Sequence, residues 1–118
     1  MKVGVIGLGK LGCSMLAVFA SSGNKVYGYD INSRVCNDLK NVIAPVDETN
    51  LQFELSQAKD NYKICNSGIE VLKESEAIYI IVPTPSLKSG RFDTKYLEEV
   101  LEELSEVEIN CEGKVLVI

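Results

Sequence analysis

The stretch KVGVIGLGKLG, residues 2–12, decides the fold. A short run of β-formers at residues 3–6 ends at Gly7. Gly7-Leu8-Gly9-Lys10-Leu11-Gly12 then fits the spacing G-x-G-x-x-G, and helical periodicity comes next. Three glycines between a strand and a helix have separate uses: a tight turn at Gly7, close approach of a phosphate at Gly9, and close helix packing at Gly12. Free N–H groups at a helix start carry a positive field that suits a pyrophosphate.

Working outward, Leu11, Met15, Val18 and Phe19 share one helical face, and the spacing predicts that this face is apolar and packed. Gly23 is the natural residue just past the helix end. Residues 25–30, KVYGYD, read as a second strand ending in Asp30, 18 residues past Gly12. An acid near that spacing accepts hydrogen bonds from an adenosine ribose and would repel a 2′-phosphate, so NAD is favoured over NADP. Ser33 is placed to cap a short helix carrying Val35 and Leu39, and Arg34 at its start can lie along the adenosine or pair with a surface acid. Lys10 can reach the pyrophosphate or lie in water.

Further along, Thr49-x-x-Gln52 and Ser67-x-x-Glu70 read as capping boxes. Residues 62–65 read as a weak third strand. Residues 77–82, AIYIIV, are apolar on both faces, as in a central parallel strand. Asp93 can cap a helix with Leu97, Val100, Leu101 and Leu104 on one stripe. Residues 114–118, KVLVI, read as a fifth strand. Strands alternating with helices predict an α/β, doubly wound parallel sheet of about five strands in the order 3-2-1-4-5. In that order the fourth strand lies beside the first. Val82-Pro83-Thr84-Pro85 therefore faces the glycine loop across the crevice, where Thr84 offers a hydroxyl held between two rigid residues.

The chain has 118 residues, enough for one domain over residues 1–118. Twelve basic against 17 acidic residues give a formal charge of −5, which argues against nucleic acid and against an anionic membrane surface. No apolar stretch approaches membrane-spanning length. Cys13, Cys36, Cys65 and Cys111 form no C-x-x-C pair and there is no histidine, so no metal site is assigned. Isolated thiols of this kind suggest small buried side chains and a reducing cytoplasm.

These residues resemble the N-terminal, Rossmann-type NAD-binding domain of the nucleotide-sugar 6-dehydrogenases, the UDP-glucose/GDP-mannose dehydrogenase type, over nearly the whole chain. Gly7–Gly12 is similar to that family's glycine loop. Pro45-Val46-Asp47-Glu48-Thr49-Asn50-Leu51 resembles its Pro-x-x-Glu-Pro-Gly-Leu segment, with Thr49-Asn50 in place of Pro-Gly. Val82-Pro83-Thr84-Pro85-Ser86 resembles its Val-Pro-Thr-Pro loop, and Gly90-x-x-Asp93-x-x-Tyr96 resembles the segment just after that loop. Lys10 stands where the family usually has tyrosine, and the interval from Asp30 to Arg34 is one residue shorter than common.

The resemblance implies that Leu11, Asp30 and Thr84 contact NAD. With the glycine loop, the expected cofactor-binding set is Gly7, Leu8, Gly9, Lys10, Leu11, Gly12, Asp30, Arg34, Val82, Pro83, Thr84 and Pro85. It also implies an enzyme that oxidises the C6 alcohol of a nucleotide sugar to a carboxylate in two NAD-dependent steps. The family's catalytic residues would lie beyond Ile118, so no catalytic residue is assigned, and the chain is expected to be inactive alone, as a domain truncated after its fifth strand. A homodimer is expected, with the apolar last strand as an associating edge. Two alternatives are a stand-alone NAD-sensing module and a dehydrogenase of the 6-phosphogluconate type, which shares the glycine loop but against which the Pro-Thr-Pro loop argues.

Overall fold

In the computed structural model, residues 1–81, 98–102 and 114–117 are described. Five parallel strands run β1 Lys2–Ile6, β2 Lys25–Tyr29, β3 Tyr62–Ile64, β4 Ala77–Ile80 and β5 Val115–Val117. They are ordered β3-β2-β1-β4-β5, so β1 lies between β2 and β4. Winding reverses at β1, and Ile6 is in register with Tyr29 on one side and Ile80 on the other. The carboxyl ends of these three strands therefore lie side by side where the winding reverses.

Strands β1 and β4 can be central because they are apolar on both faces. Val5 joins one core cluster and its neighbour Ile6 the other. The first cluster is built with α1 Lys10–Ser21, α2 Ser33–Lys40 and α3 Leu51–Gln57, through Leu16, Ala17, Leu39, Leu51 and Leu55. The second uses α4 Gly68–Glu74, through Val71 and Leu72, with Val100 and Leu101 of the helical residues 98–102 packed on it. Helices thus cover both faces, as a doubly wound sheet requires. Gly28 of β2 leaves room for this packing, because a Cβ there would lie 2.8 Å from Leu16 Cδ1.

Helix α1 turns a different face to the sheet from the one the spacing predicts. Leu11 is 61% and Val18 51% exposed, while Met15 and Phe19 are half-buried. The buried face is Gly12, Cys13, Leu16, Ala17 and Ala20. The helix is apolar on most sides, so periodicity alone does not choose. Close approach to the sheet chooses the small residues. Gly23 does end the helix, at φ +92°. Its N–H donates to Ala20 O and that of Asn24 to Phe19 O, the paired bonds of a Schellman motif.

The caps differ in detail from those the sequence predicts. Asn32, not Ser33, caps α2, its side chain accepting from the Arg34 N–H at 3.0 Å. Helix α3 follows Asn50 in the left-handed region at φ 63°, with no side-chain cap. Gln52 faces away from Thr49: its amide accepts from Ala44 N–H at 2.8 Å and donates to Val42 O at 2.7 Å, pinning the loop before α3. Ser67 does cap α4, accepting from Glu70 N–H at 3.1 Å, and the Glu70 carboxylate reaches back to the Asn66 N–H. The expected helix-capping role of Asp93, and the positions of Leu97 and Leu104, lie outside the described residues.

Candidate functional site: a glycine loop at the switch point

The loop between β1 and α1 is held from three directions. Gly7, at φ 99°, donates its N–H to Tyr29 O at 2.9 Å. A positive φ of this size is strained for any residue with a side chain and free of strain for glycine. The Leu8 N–H donates to Asp30 Oδ2 at 2.7 Å, and the Leu8 carbonyl accepts from the Cys13 thiol at 3.0 Å. The Leu8 side chain is fully buried. Leu8 is therefore the buried anchor of the loop, with its N–H, its carbonyl and its side chain all committed within the chain.

Gly9 and Gly12 do opposite things. A Cβ on Gly12 would sit 1.8 Å from the Gly7 carbonyl oxygen, so the helix start lies directly against the loop. A Cβ on Gly9 would meet no described atom within 4 Å. Among the described residues, the space beside Gly9 is open, next to the start of α1. Gly9 is the N-cap and offers no side chain, the first turn carries no acid, and the first bond of the helix is Cys13 N–H to Gly9 O. The N–H groups of Lys10, Leu11 and Gly12 have no partner within the helix, and the positive end of the helix dipole lies beside them.

Asp30 follows β2 and lies beside this loop. Besides Leu8 it accepts from Asn32 N–H at 2.8 Å through Oδ1. Each oxygen keeps a second acceptor position, since a carboxylate can take about four hydrogen bonds. The thiol of Cys36 donates to the Asp30 carbonyl at 3.2 Å. Burial, and then the Asp30 charge, push the Cys13 thiol up to about 12, so it stays a neutral donor at all ordinary pH. Cys13, Cys36 and Cys65 are free and buried. Sequence reasoning finds these thiols but not the carbonyls that Cys13 and Cys36 hold; a weak S–H donor leaves no pattern in a sequence.

Lys10 and Arg34 are committed to acids. The Lys10 ammonium lies 2.9 Å from Glu48 Oε1, joining the first turn of α1 to the loop before α3. The Arg34 guanidinium makes a loose pair with Asp38, 3.8 Å away and one turn on. Leu11 projects outward from the first turn of α1, mostly exposed. Val82, Pro83, Thr84 and Pro85 lie outside the described residues. Just before them, the Ile81 N–H donates to Ile6 O at 2.7 Å, so the chain leaves β4 at the edge of the glycine loop.

A strand end, a glycine loop with an open face, a bare helix start and an acid at the neighbouring strand end define a dinucleotide-binding α/β domain. Residues 1–118 match the family model for the UDP-glucose/GDP-mannose dehydrogenase family, NAD binding domain. The chain is 34% identical to UDP-N-acetyl-D-mannosamine dehydrogenase of Pyrococcus horikoshii over 91% of its own length and 26% of that protein. It is 32% identical to UDP-glucose 6-dehydrogenase TuaD of Bacillus subtilis, over 89% of this chain and 23% of that one. A solved structure of UDP-D-ManNAc dehydrogenase from Pyrococcus horikoshii superposes with a TM-score of 0.84 at 31% identity, covering 98% of this chain and 27% of that one. The chain belongs to the UDP-glucose/GDP-mannose dehydrogenase family, as its NAD-binding domain. It spans about a quarter of the length of the curated relatives it matches. Among the described residues, no helix is long and apolar enough to cross a membrane.

Proposed function

We propose that residues 1–118 hold NAD at the β1–α1 loop for the oxidation of a nucleotide sugar at C6 by the whole protein. The pyrophosphate lies in the open space beside Gly9, against the N–H groups at the start of α1. Asp30 receives the adenosine ribose hydroxyls on its spare acceptor positions. Leu11 gives an apolar edge to the first turn, and Thr84, four residues past Ile80 in the sequence, supplies a hydroxyl to the cofactor. The chemistry that NAD supplies when bound is hydride acceptance from the sugar carbon. The part of this chain is to bind the cofactor, orient it and keep its phosphates desolvated. Names of the relatives support a nucleotide-sugar substrate. The three buried free thiols support a reducing, cytoplasmic setting.

The observation that carries this reading is the Asp30 carboxylate, fixed by the Leu8 N–H beside the open face of Gly9. Calorimetric titration with NAD and NADP tests it. NAD binds more tightly, and Asp30→Ala weakens NAD by ~1–3 kcal/mol, the range for a charge-assisted hydrogen bond. Equal or tighter binding of NADP would refute the role given to Asp30.

A further inference from the structure

We propose that Glu48 is an affinity-setting residue of the cofactor site, acting through Lys10. The inference rests on the reading that the pyrophosphate lies beside Gly9. Lys10 is the next residue along, the first of α1, and its ammonium is the cation nearest that position in sequence. A lysine there would ordinarily be free to meet a phosphate. Here it is held 2.9 Å from Glu48 Oε1.

The two partners are not equally committed. The Lys10 side chain is 77% exposed and can be solvated wherever it points. Glu48 is only 27% exposed, and Oε1 is buried with no well-angled hydrogen bond among the described residues, so the Lys10 charge is its compensation. A buried carboxylate oxygen needs a counter-charge, and losing it carries a desolvation penalty. Moving Lys10 to a phosphate would leave Oε1 bare. Glu48 therefore competes with the dinucleotide for Lys10. Glu48 keeps the ammonium off the pyrophosphate, and binding relies on backbone N–H groups, whose field does not depend on a mobile side chain.

The competition predicts that removing the acid tightens binding. Glu48→Gln should lower the NAD dissociation constant about two- to fivefold, the span of a partly exposed ion pair. It should also steepen the loss of affinity with salt, because a solvent-facing charge pair with phosphate is screened. Glu48→Asp keeps the charge but shortens the reach, and should move both readings the same way by less. In a Lys10→Gln background, Glu48→Gln should no longer tighten binding. Calorimetry with NAD at several salt concentrations, beside thermal unfolding of each variant, reads all of this. Unchanged affinity and salt slope in both Glu48 variants would overturn the proposal. So would equal tightening with Lys10 absent, which would mean long-range charge and not release of Lys10. If Glu48→Gln does not fold, Glu48→Asp carries the test. A parent chain that binds no NAD would remove the underlying reading and this inference with it. A parent that binds while the variants match it would remove this inference alone.

Discussion

Replacing Gly12 and Gly9 by alanine, one at a time, separates folding from binding within a single motif. At Gly12 the new Cβ would lie 1.8 Å from the Gly7 carbonyl oxygen and 2.9 Å from its carbon. A carbon–oxygen contact needs about 3.3 Å, so the helix and loop must part by roughly 1.5 Å. Neither is free to move. Gly7 N–H is bonded to Tyr29 O, Leu8 N–H to Asp30, and Cys13 to the Leu8 carbonyl. Overpacking against side chains costs ~1–3 kcal/mol, and against backbone it should reach ~3 kcal/mol or more. Alanine regains about 1 kcal/mol of helix propensity. The net loss, about 2 kcal/mol or more, is a large share of the ~5–15 kcal/mol that holds a domain together. Gly9 is at φ −73° and ψ −159°, which any residue adopts, and its Cβ would touch nothing among the described residues. Gly9→Ala should therefore unfold in urea within ~0.5 kcal/mol of the parent. Its methyl would fill the proposed phosphate position, and NAD affinity should drop by ~tenfold or more, about 1.4 kcal/mol. Urea unfolding and calorimetry on both variants give the two halves of the comparison. If Gly9→Ala destabilises the fold as much as Gly12→Ala, or if Gly12→Ala unfolds with the parent, the division of labour is wrong.

Cys13 should resist thiol reagents in the folded chain at pH 8. Its pKa near 12 and full burial leave about one thiolate in ten thousand, and labelling located by mass spectrometry should reach it only after unfolding; rapid native labelling would refute the burial. Gln52→Ala removes two hydrogen bonds to the backbone of residues 42 and 44. Stability should fall by ~1 kcal/mol with NAD affinity nearly unchanged, and an unchanged urea midpoint would show that the loop holds without it.

The legible parts of the fold share one property: their physical cause is local. The glycine spacing, the glycine after α1 and the Ser67 cap each follow from backbone geometry within a few residues, and the acid at the end of β2 follows from the fixed length of the strand–helix–strand unit. The two-sided apolar run at residues 77–82 locates β4 inside the sheet, because burial on both faces explains it. Periodicity misplaces the buried face of α1 because Leu11 and Val18 look like core residues, while the sheet demands the smaller side chains of Gly12, Cys13 and Ala17. Thr49 and Gln52 have capping spacing, yet Asn50 adopts a left-handed conformation and Gln52 finds backbone partners on its other side. Lys10 and Glu48 are far apart in sequence, and no spacing rule links them.

The glycine loop is ordered by its own chain. Leu8 commits its N–H to Asp30, its carbonyl to Cys13 and its side chain to the core, and so leaves the loop little freedom to lose when a ligand arrives. Preorganisation of this kind raises affinity without a new contact. It also gives Asp30 two duties that use different lone pairs. One set braces Leu8 across the gap between β2 and β1 and holds Asn32 two residues on, and the other is the set that the proposed complex assigns to ribose hydroxyls. In the proposed complex the same carboxylate shapes the glycine loop and reads the sugar beside it. A substitution at Asp30 should therefore alter pyrophosphate binding as well as ribose discrimination, and the two effects should be inseparable at that position. Gly9, where a side chain would touch no described atom, is a place where ligand binding can be changed with little effect on the fold.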